Sequence, residues 1–407
     1  MDEQEQIPES KQPGFFKRGF SIVLILSYIL VAAAASLITM ILVLPKEEPL
    51  PYTEGQSKLS ALEQLIAERY IGEVDITKLE DYAAQGMINS LGDRWSFYIP
   101  KSEMDSYTDQ KNNSYVGIGI TVQAMADGSG MNVIQVAAGG PAEAAGVLVG
   151  DIVIAVEGQS IQGMTANDVS KLIKGEVNTQ VTITVLRDNT PVNFTITRQL
   201  FKTPVAVATM LENNIGLVQI KNFNANCAQE TIQAIETLKE QGAQKLIFDV
   251  RFNGGGYANE MVTLLDYLLP EGDLFRTVDY TGAEAVERSD AAHLDMPMVV
   301  LVNGSSYSAA EFFAAALREY DAALVVGEQT SGKGYFQVTY MLPDGSGVAL
   351  SIGKYYTPKG NCLEGVGITP DFVVGVDDAT AAEIYNGTLN PMEDPQILKA
   401  IEALQSK

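Results

Sequence analysis
The chain has 407 residues, 46% of them hydrophobic, with a formal net charge of −24, one histidine and two cysteines. At roughly 100–200 residues per domain, this allows two or three domains with a sizeable core. The charge excludes nucleic acid as a partner, because phosphate binding needs a basic patch. A lone His293, with Cys227 and Cys362 far apart, excludes the usual N/S zinc site. The cysteines lack CxxC spacing, and both pairing and free thiols stay open.

Residues 1–18 read as a polar tail. Gly19 to Leu44, GFSIVLILSYILVAAAASLITMILVL, is 26 residues without a charge, and about 20 suffice to cross a bilayer. Lys17 and Arg18 precede it and Lys46-Glu47-Glu48 follow it. By the positive-inside rule the N-terminus lies in the cytoplasm and the rest of the chain outside, at the cell membrane. A signal peptide cleaved near AAAAS is the alternative, but eight more mostly apolar residues precede Pro45 and favour a retained anchor. Residues 45–56 are a Pro/Glu-rich linker.

Residues 57–111 open on two helical patterns. Leu59, Leu62, Leu65 and Ile66 share a face in the first, and Leu79, Tyr82, Ala83 and Met87 in the second. This segment reads equally as a homodimerisation arm and as a helix pair packed within the chain. GDRWSFYIP then gathers Trp95, Phe97 and Tyr98, with Trp95 a core or interface residue rather than a substrate contact.

From Ser114 short alternating strands and glycine turns take over: YVGIGITVQA, GMNVIQVAAG, DIVIAVEGQSI and TQVTITVLRD. From about Val205 the strands become continuously apolar, as in AQKLIFDVRF and MPMVVLVNG, and alternate with helical stretches at 229–241, 258–268 and 309–320. That alternation predicts βαβ units and a largely parallel sheet covered on both faces. The fold class is thus mixed, α+β and α/β. A C-terminal segment, 376–407, ends in the amphipathic PQILKAIEALQSK.

Two short stretches carry the candidate chemistry. GSSYSAAEF, 304–312, holds three serines, and Ser308 with Glu311 has the S-x-x-E spacing of a capping box. Capping alone would explain that serine. GEQTSGKGYFQ, 327–337, begins like a phosphate-binding loop. However, Gly334 stands where a magnesium-binding hydroxyl belongs, and YFQVTYMLPDGSGVALSI reads strand, turn, strand, so no helix N-terminus meets a phosphate. What is left is Lys333 among glycines, 25 residues after Ser308. A buried lysine can serve as a general base. Moving its pKa from about 10.4 toward 7 costs on the order of 4–5 kcal/mol. A Ser–Lys pair therefore answers the shortage of histidine.

Residues 112–200 resemble a PDZ domain, through GGPAEAAGVLVGDIVIAVEGQSIQGMTANDVSKLIKG. The resemblance implies a module that takes protein C-termini by strand addition. Val116, Gly117, Ile118, Gly119 and Ile120 would form its carboxylate loop and strand, with Val169 and Ile173 as the opposite wall. For Ile120 and Val169, a place in the core of a small barrel is an equally good reading.

Further on, DVRFNGGGYANEM (249–261), NGSSYSAAEF (303–312), VGEQTSGKGYFQ (326–337) and, more weakly, YYTPKGNCLEGVGITPD (355–371) resemble the carboxy-terminal processing, or tail-specific, protease family. The likeness spans about 57–375 and implies an α/β protease core, here 201–375, with a Ser–Lys dyad and neither metal nor cofactor. By that resemblance Ser308 is the nucleophile, Lys333 the general base and Gln337 the residue orienting the amine. Backbone N–H groups of Gly255, Gly256 and Ala309 would form the oxyanion hole.

Gly254, Phe252, Tyr307 and Ala310 depart from the commoner pattern without removing a catalytic group. Lys174 stands where many relatives carry an arginine that couples the PDZ domain to the core, and lysine cannot make the same bidentate contact. Asn303 reads as a turn residue and Arg251 as the partner of an acid near the sheet end. The expectation is a single-pass, membrane-anchored, extracytoplasmic serine endopeptidase acting on protein C-terminal regions. Regulation by a protein partner is left open. A catalytically silent PDZ scaffold at the membrane is the alternative. A penicillin-recognising acyltransferase would need S-x-x-K where the chain has Glu311.

Overall fold
The computed structural model describes residues 26–36 and 57–405. Residues 26–36 are helical. The rest of the expected span 19–44, the tail 1–18 and the linker up to residue 56 lie outside the described residues. No helix among the described residues is long and apolar enough to cross a membrane.

The chain divides into two units, Met1–Tyr82 and Ala83–Lys407. In the first, the helix Lys58–Arg69 begins where the Ser57 side chain accepts the Ser60 N–H. It buries none of its residues, and Leu59 and Leu62 are exposed. The helix Ile76–Asn89 buries none either, and Tyr82 and Met87 are exposed. The periodic apolar faces are present, but in this chain they cover no core.

The second unit is built on a six-stranded sheet in the order Ala206–Leu211, Ile215–Ile220, Lys245–Asp249, Met298–Val302, Ala323–Gly327, Phe372–Val373. The first pair is antiparallel and the others are parallel. Successive strand residues point to opposite faces. Leu246, Phe248, Val300 and Val302 therefore enter one core, with residues of the helices Cys227–Glu240, Ala258–Leu268 and Ala309–Glu319. Ile247, Val299 and Leu301 enter the other, under the helix Pro395–Gln405. Burial on both faces is why these strands read as unbroken apolar runs.

The last helix thus belongs to the body of the second unit. Arg251 fastens it there. Its guanidinium lies 2.7 Å from Asp249 and 2.7 Å from Asp394, with all three side chains buried. The expected acid at the sheet end is Asp249; the second acid comes from the far end of the chain.

A five-stranded antiparallel sheet joins Gly272–Asp279, Glu284–Ser289, Gly347–Tyr356, Tyr335–Met341 and the short strand Phe97–Ile99. The hairpin 272–289 has little apolar alternation, because much of Glu284–Ser289 is exposed. Phe97–Ile99 is too short to show a period.

The PDZ part forms a sheet of Ile120–Ala124, Met131–Val136, Ile152–Val156, Gln180–Arg187 and Thr190–Thr197, with a small added strand at Gln159–Ser160. The helix Ala166–Ile173 is opened by a capping box between Thr165 and Asp168. Ile120–Ala124 is an edge strand beside that helix, as strand addition requires. Gly119 takes φ +80°, and a Cβ there would lie 2.8 Å from the Phe201 ring. Val116 and Gly117 pair with Leu200 and Gln199 in a separate two-stranded ribbon.

The expected groove wall needs correction. Val169 and Ile173 lie in the domain core with Ile118, and Ile120 packs at its edge. The short helix turns its apolar residues into the barrel, so burial decides between the two readings.

Candidate active site
The three serines of GSSYSAAEF have separate fates. Ser305 is exposed. The Ser306 hydroxyl is buried, donating to the Val250 carbonyl at 2.7 Å and accepting the Asn303 N–H at 3.0 Å. Asn303 itself accepts the N–H groups of Phe252 at 3.0 Å and Ser305 at 3.1 Å, so it ties two strand ends together. Ser308 is left facing a cleft of about 330 Å³.

Ser308 adopts φ 59° and ψ −129°, outside the regions an L residue prefers, at the start of the helix Ala309–Glu319. Such a conformation costs about 1–3 kcal/mol and persists only where its surroundings hold it. Glu311 does so. Its carboxylate, wholly buried, accepts the Ser308 N–H at 3.0 Å. The two residues form a capping box whose well-formed arm is this one. The Glu311 N–H instead bonds the Ser308 carbonyl at 2.8 Å, and the Ser308 hydroxyl makes no cap bond.

The same carboxylate reaches the lysine loop. It accepts the Gly332 N–H at 2.8 Å, the Lys333 N–H at 2.8 Å and the Thr330 hydroxyl. One buried side chain therefore fixes the backbones of both Ser308 and Lys333. Burial pushes the Glu311 carboxyl above the usual range, against the pull of the bonds from Thr330, Lys333, Gly332 and Ser308.

The Lys333 amine lies 4.9 Å from the ring centre of Trp95 and 5.8 Å from that of Tyr307, and these two rings stack on each other. Burial, helped by the charge of Lys111, pulls it down to about 8, against Asp93, Glu364 and Glu311. Trp95 is held by its indole N–H, which donates to Glu364 at 3.0 Å, and Glu364 also accepts the Gly334 N–H at 2.7 Å. Trp95 is thus a wall of the lysine pocket.

Gln337 lines the same cleft, but its amide donates to the Ser351 hydroxyl at 2.8 Å and the Tyr335 carbonyl at 3.3 Å. It orients the second sheet here, not the lysine amine. Ser351 leads on to Ser96 and Asp93 through its N–H, 2.9 Å from Ser96 Oγ, and the Ser96 hydroxyl donates to Asp93 at 2.6 Å. Burial, which raises the Asp93 carboxyl, is outweighed by its bonds from Ser351, Ser96 and Trp95, and the carboxyl sits below the usual range.

Of the three expected oxyanion donors, Gly255 is already engaged: its N–H donates to Asn253 Oδ1 at 2.8 Å. Among the described residues the N–H groups of Gly256 and Ala309 have no acceptor. Glycine is required at 256, where a Cβ would lie 2.2 Å from the Phe223 carbonyl carbon. At 255 a Cβ would lie 2.8 Å from that of Ser308.

Sequence reasoning missed Tyr107 and Lys111, which the helix Lys101–Lys111 brings into the cleft. Their only signal is an i, i+4 spacing that puts both on one face. Lys174 lines a separate groove between the PDZ helix and this helix, but the ion pair across it belongs to Lys171 and Glu103, 4.0 Å apart. His293 stands outside the cleft lining, exposed, near the Ala291 carbonyl. Both cysteines are free.

The profile described as Peptidase family S41 matches residues 214–374, that of the PDZ domain 133–187, and that of the Activating protease CtpB N-terminal domain 44–103. The carboxy-terminal processing protease CtpA of Bacillus subtilis is 33% identical over 79% of this chain and 69% of its own. The carboxyl-terminal-processing protease of a Synechocystis species is 30% identical over 79% of this chain and 77% of its own. A solved structure titled photosystem II D1 C-terminal processing protease is 29% identical, covers 79% of this chain and 88% of its own, and superposes with a TM-score of 0.45.

Proposed function
Because the chain belongs to the carboxy-terminal processing proteases of peptidase family S41, we propose that this serine endopeptidase works through Ser308 and Lys333. The observation that carries the reading is the Glu311 carboxylate, which binds the backbone of both residues beside one cleft.

The neutral Lys333 amine accepts the Ser308 proton as Oγ attacks the scissile carbonyl. The carbonyl oxygen becomes an oxyanion, and the N–H groups of Gly256 and Ala309 receive it; the helix dipole at Ala309 favours that charge. Lys333 then gives the proton to the departing amine, leaving an acyl ester on Ser308. Water, deprotonated by Lys333, attacks the ester carbonyl; the bond to Ser308 Oγ breaks, the acid is released and Lys333 returns the proton to the serine. Substrate C-termini dock on the edge strand Ile120–Ala124.

The lysine sets the sign of the pH dependence. With its amine at about 8, cleavage of an unfolded polypeptide at saturating concentration is expected to fall about tenfold per pH unit below that value. A rate that is flat or rises on acidification removes Lys333 as the base. Blocking the polypeptide's C-terminus is expected to raise KM when initial rates are followed across substrate concentrations.

The uncharged stretch 19–44 supports a retained membrane anchor with the protease outside. The full chain is expected to stay with membranes through an alkaline carbonate wash. Release into the soluble fraction would favour the cleaved-signal reading.

A further inference from the structure
Lys111 is a cation that the reaction above does not use. It ends the helix Lys101–Lys111, and its side chain lines the cleft that Ser308 faces. Its amine lies 5.7 Å from the ring centre of Tyr107 and 5.6 Å from that of Tyr257. Two π faces hold a cation loosely and satisfy none of its hydrogen-bond donors. Among the described residues no carboxylate lines this cleft and none pairs with the Lys111 amine. That is notable in a chain with 51 acidic against 27 basic side chains. Burial also holds the amine below its ordinary value, as expected of a cation without a counter-charge.

A half-buried amine, oriented but unpaired at the wall of a peptide-cleaving cleft, is completed by an anion that arrives with the substrate. We propose that Lys111 is a specificity-determining residue that receives a carboxylate of the bound peptide beside the scissile bond. The inference rests on the protease reading of the cleft. The carboxylate has two sources: an Asp or Glu side chain near the cut, or the peptide's own C-terminus when the cut falls close to it. Tyr107 and Tyr257 position the amine, and Lys333 is left to the proton transfer.

The test uses the full chain and paired peptides that differ at one place. One series replaces Asp by Asn at each position around the cut; the other compares a free C-terminus with its amide. Wild type is expected to show a KM about tenfold lower for one carboxylate peptide than for its neutral twin, equivalent to about 1.4 kcal/mol. Lys111→Met is expected to bring that ratio to about one, and Lys111→Arg to keep it. Which series responds identifies the source.

Peptide affinities of Ser308→Ala chains with and without Lys111→Met give the same comparison without turnover. Loss of catalysis therefore bears on the protease reading and the affinity ratio bears on Lys111. Loss of the C-terminal carboxylate's effect at the PDZ edge is unaffected by residue 111, so only a difference that Lys111→Met removes counts. A carboxylate preference that survives Lys111→Met, or equal binding of both twins in every pair, overturns the proposal. So does a variant that slows both twins alike and shifts only the pH profile, since Lys111 would then act on Lys333 alone.

Discussion
Replacing Ser308 with alanine is expected to lower kcat/KM by about ten-thousand-fold or more, and Lys333→Ala by a similar factor. The double variant is expected to be no worse than either single one, because a nucleophile without its base and a base without its nucleophile are the same broken unit. Multiplying losses would mean that the two residues act independently, and the dyad would be the wrong description.

Lys333→Met adds a second readout, on stability. The folded chain holds this amine at about 8, against an ordinary value of 10.5. Below pH 8 both the folded and unfolded chains carry the proton, and the folded one bears the full cost of a buried charge. That cost shrinks as pH rises from 8 to 10.5. The methionine variant, packed on Trp95 and Tyr307, is therefore expected to be the more stable protein below pH 8, by up to ~3 kcal/mol. The gain fades to nothing above pH 10.5. Denaturant titrations at pH 7 and pH 10 measure it. A destabilised variant at pH 7 would mean that the lysine stem, and not its charge, dominates the pocket.

The motifs that carry Ser308 and Lys333, the pair proposed above as the dyad, were legible because their glycines and capping glutamate leave a local pattern. The pocket around the lysine was not. Asp93 and Trp95 reach it because Phe97–Ile99 adds as a strand to Gly347–Tyr356, with Phe97 opposite Ala349. A pairing across some 250 positions has no local period. The same holds for Arg251, whose first partner lies two residues away and whose second is Asp394.

The continuous apolar strands announced a sheet buried on both faces, yet not which helix covers the second face. The PDZ helix shows the opposite failure. Its periodicity was plain, but one apolar face serves equally as a groove wall or as core, and only burial separates them. Gly255 was misassigned for a simpler reason: a backbone N–H is free or taken according to a side chain, Asn253, that the motif does not mention.

Glu311 is the residue whose loss is expected to damage fold and chemistry together. Glu311→Ala would strand the N–H groups of Ser308, Gly332 and Lys333, which share that carboxylate. At roughly 1–3 kcal/mol for each buried donor left without a partner, the cost is several kcal/mol, against total stabilities of about 5–15. Ser308 would also lose the contact that holds it at φ 59° and would relax toward an ordinary helix cap. Misplacing a reacting group by about 1 Å costs on the order of a hundredfold in rate. The expected outcome is a lower Tm together with a fall in kcat of at least that size in the fraction still folded.

Glu311→Gln tests the same idea without a cavity. Its amide keeps the shape but turns two acceptor positions into donors that face N–H groups, so it is expected to lie between wild type and alanine on both measures. If the glutamine variant keeps full kcat while losing stability, Glu311 is a clamp on the fold, and the alignment of Ser308 with Lys333 must come from elsewhere in the cleft.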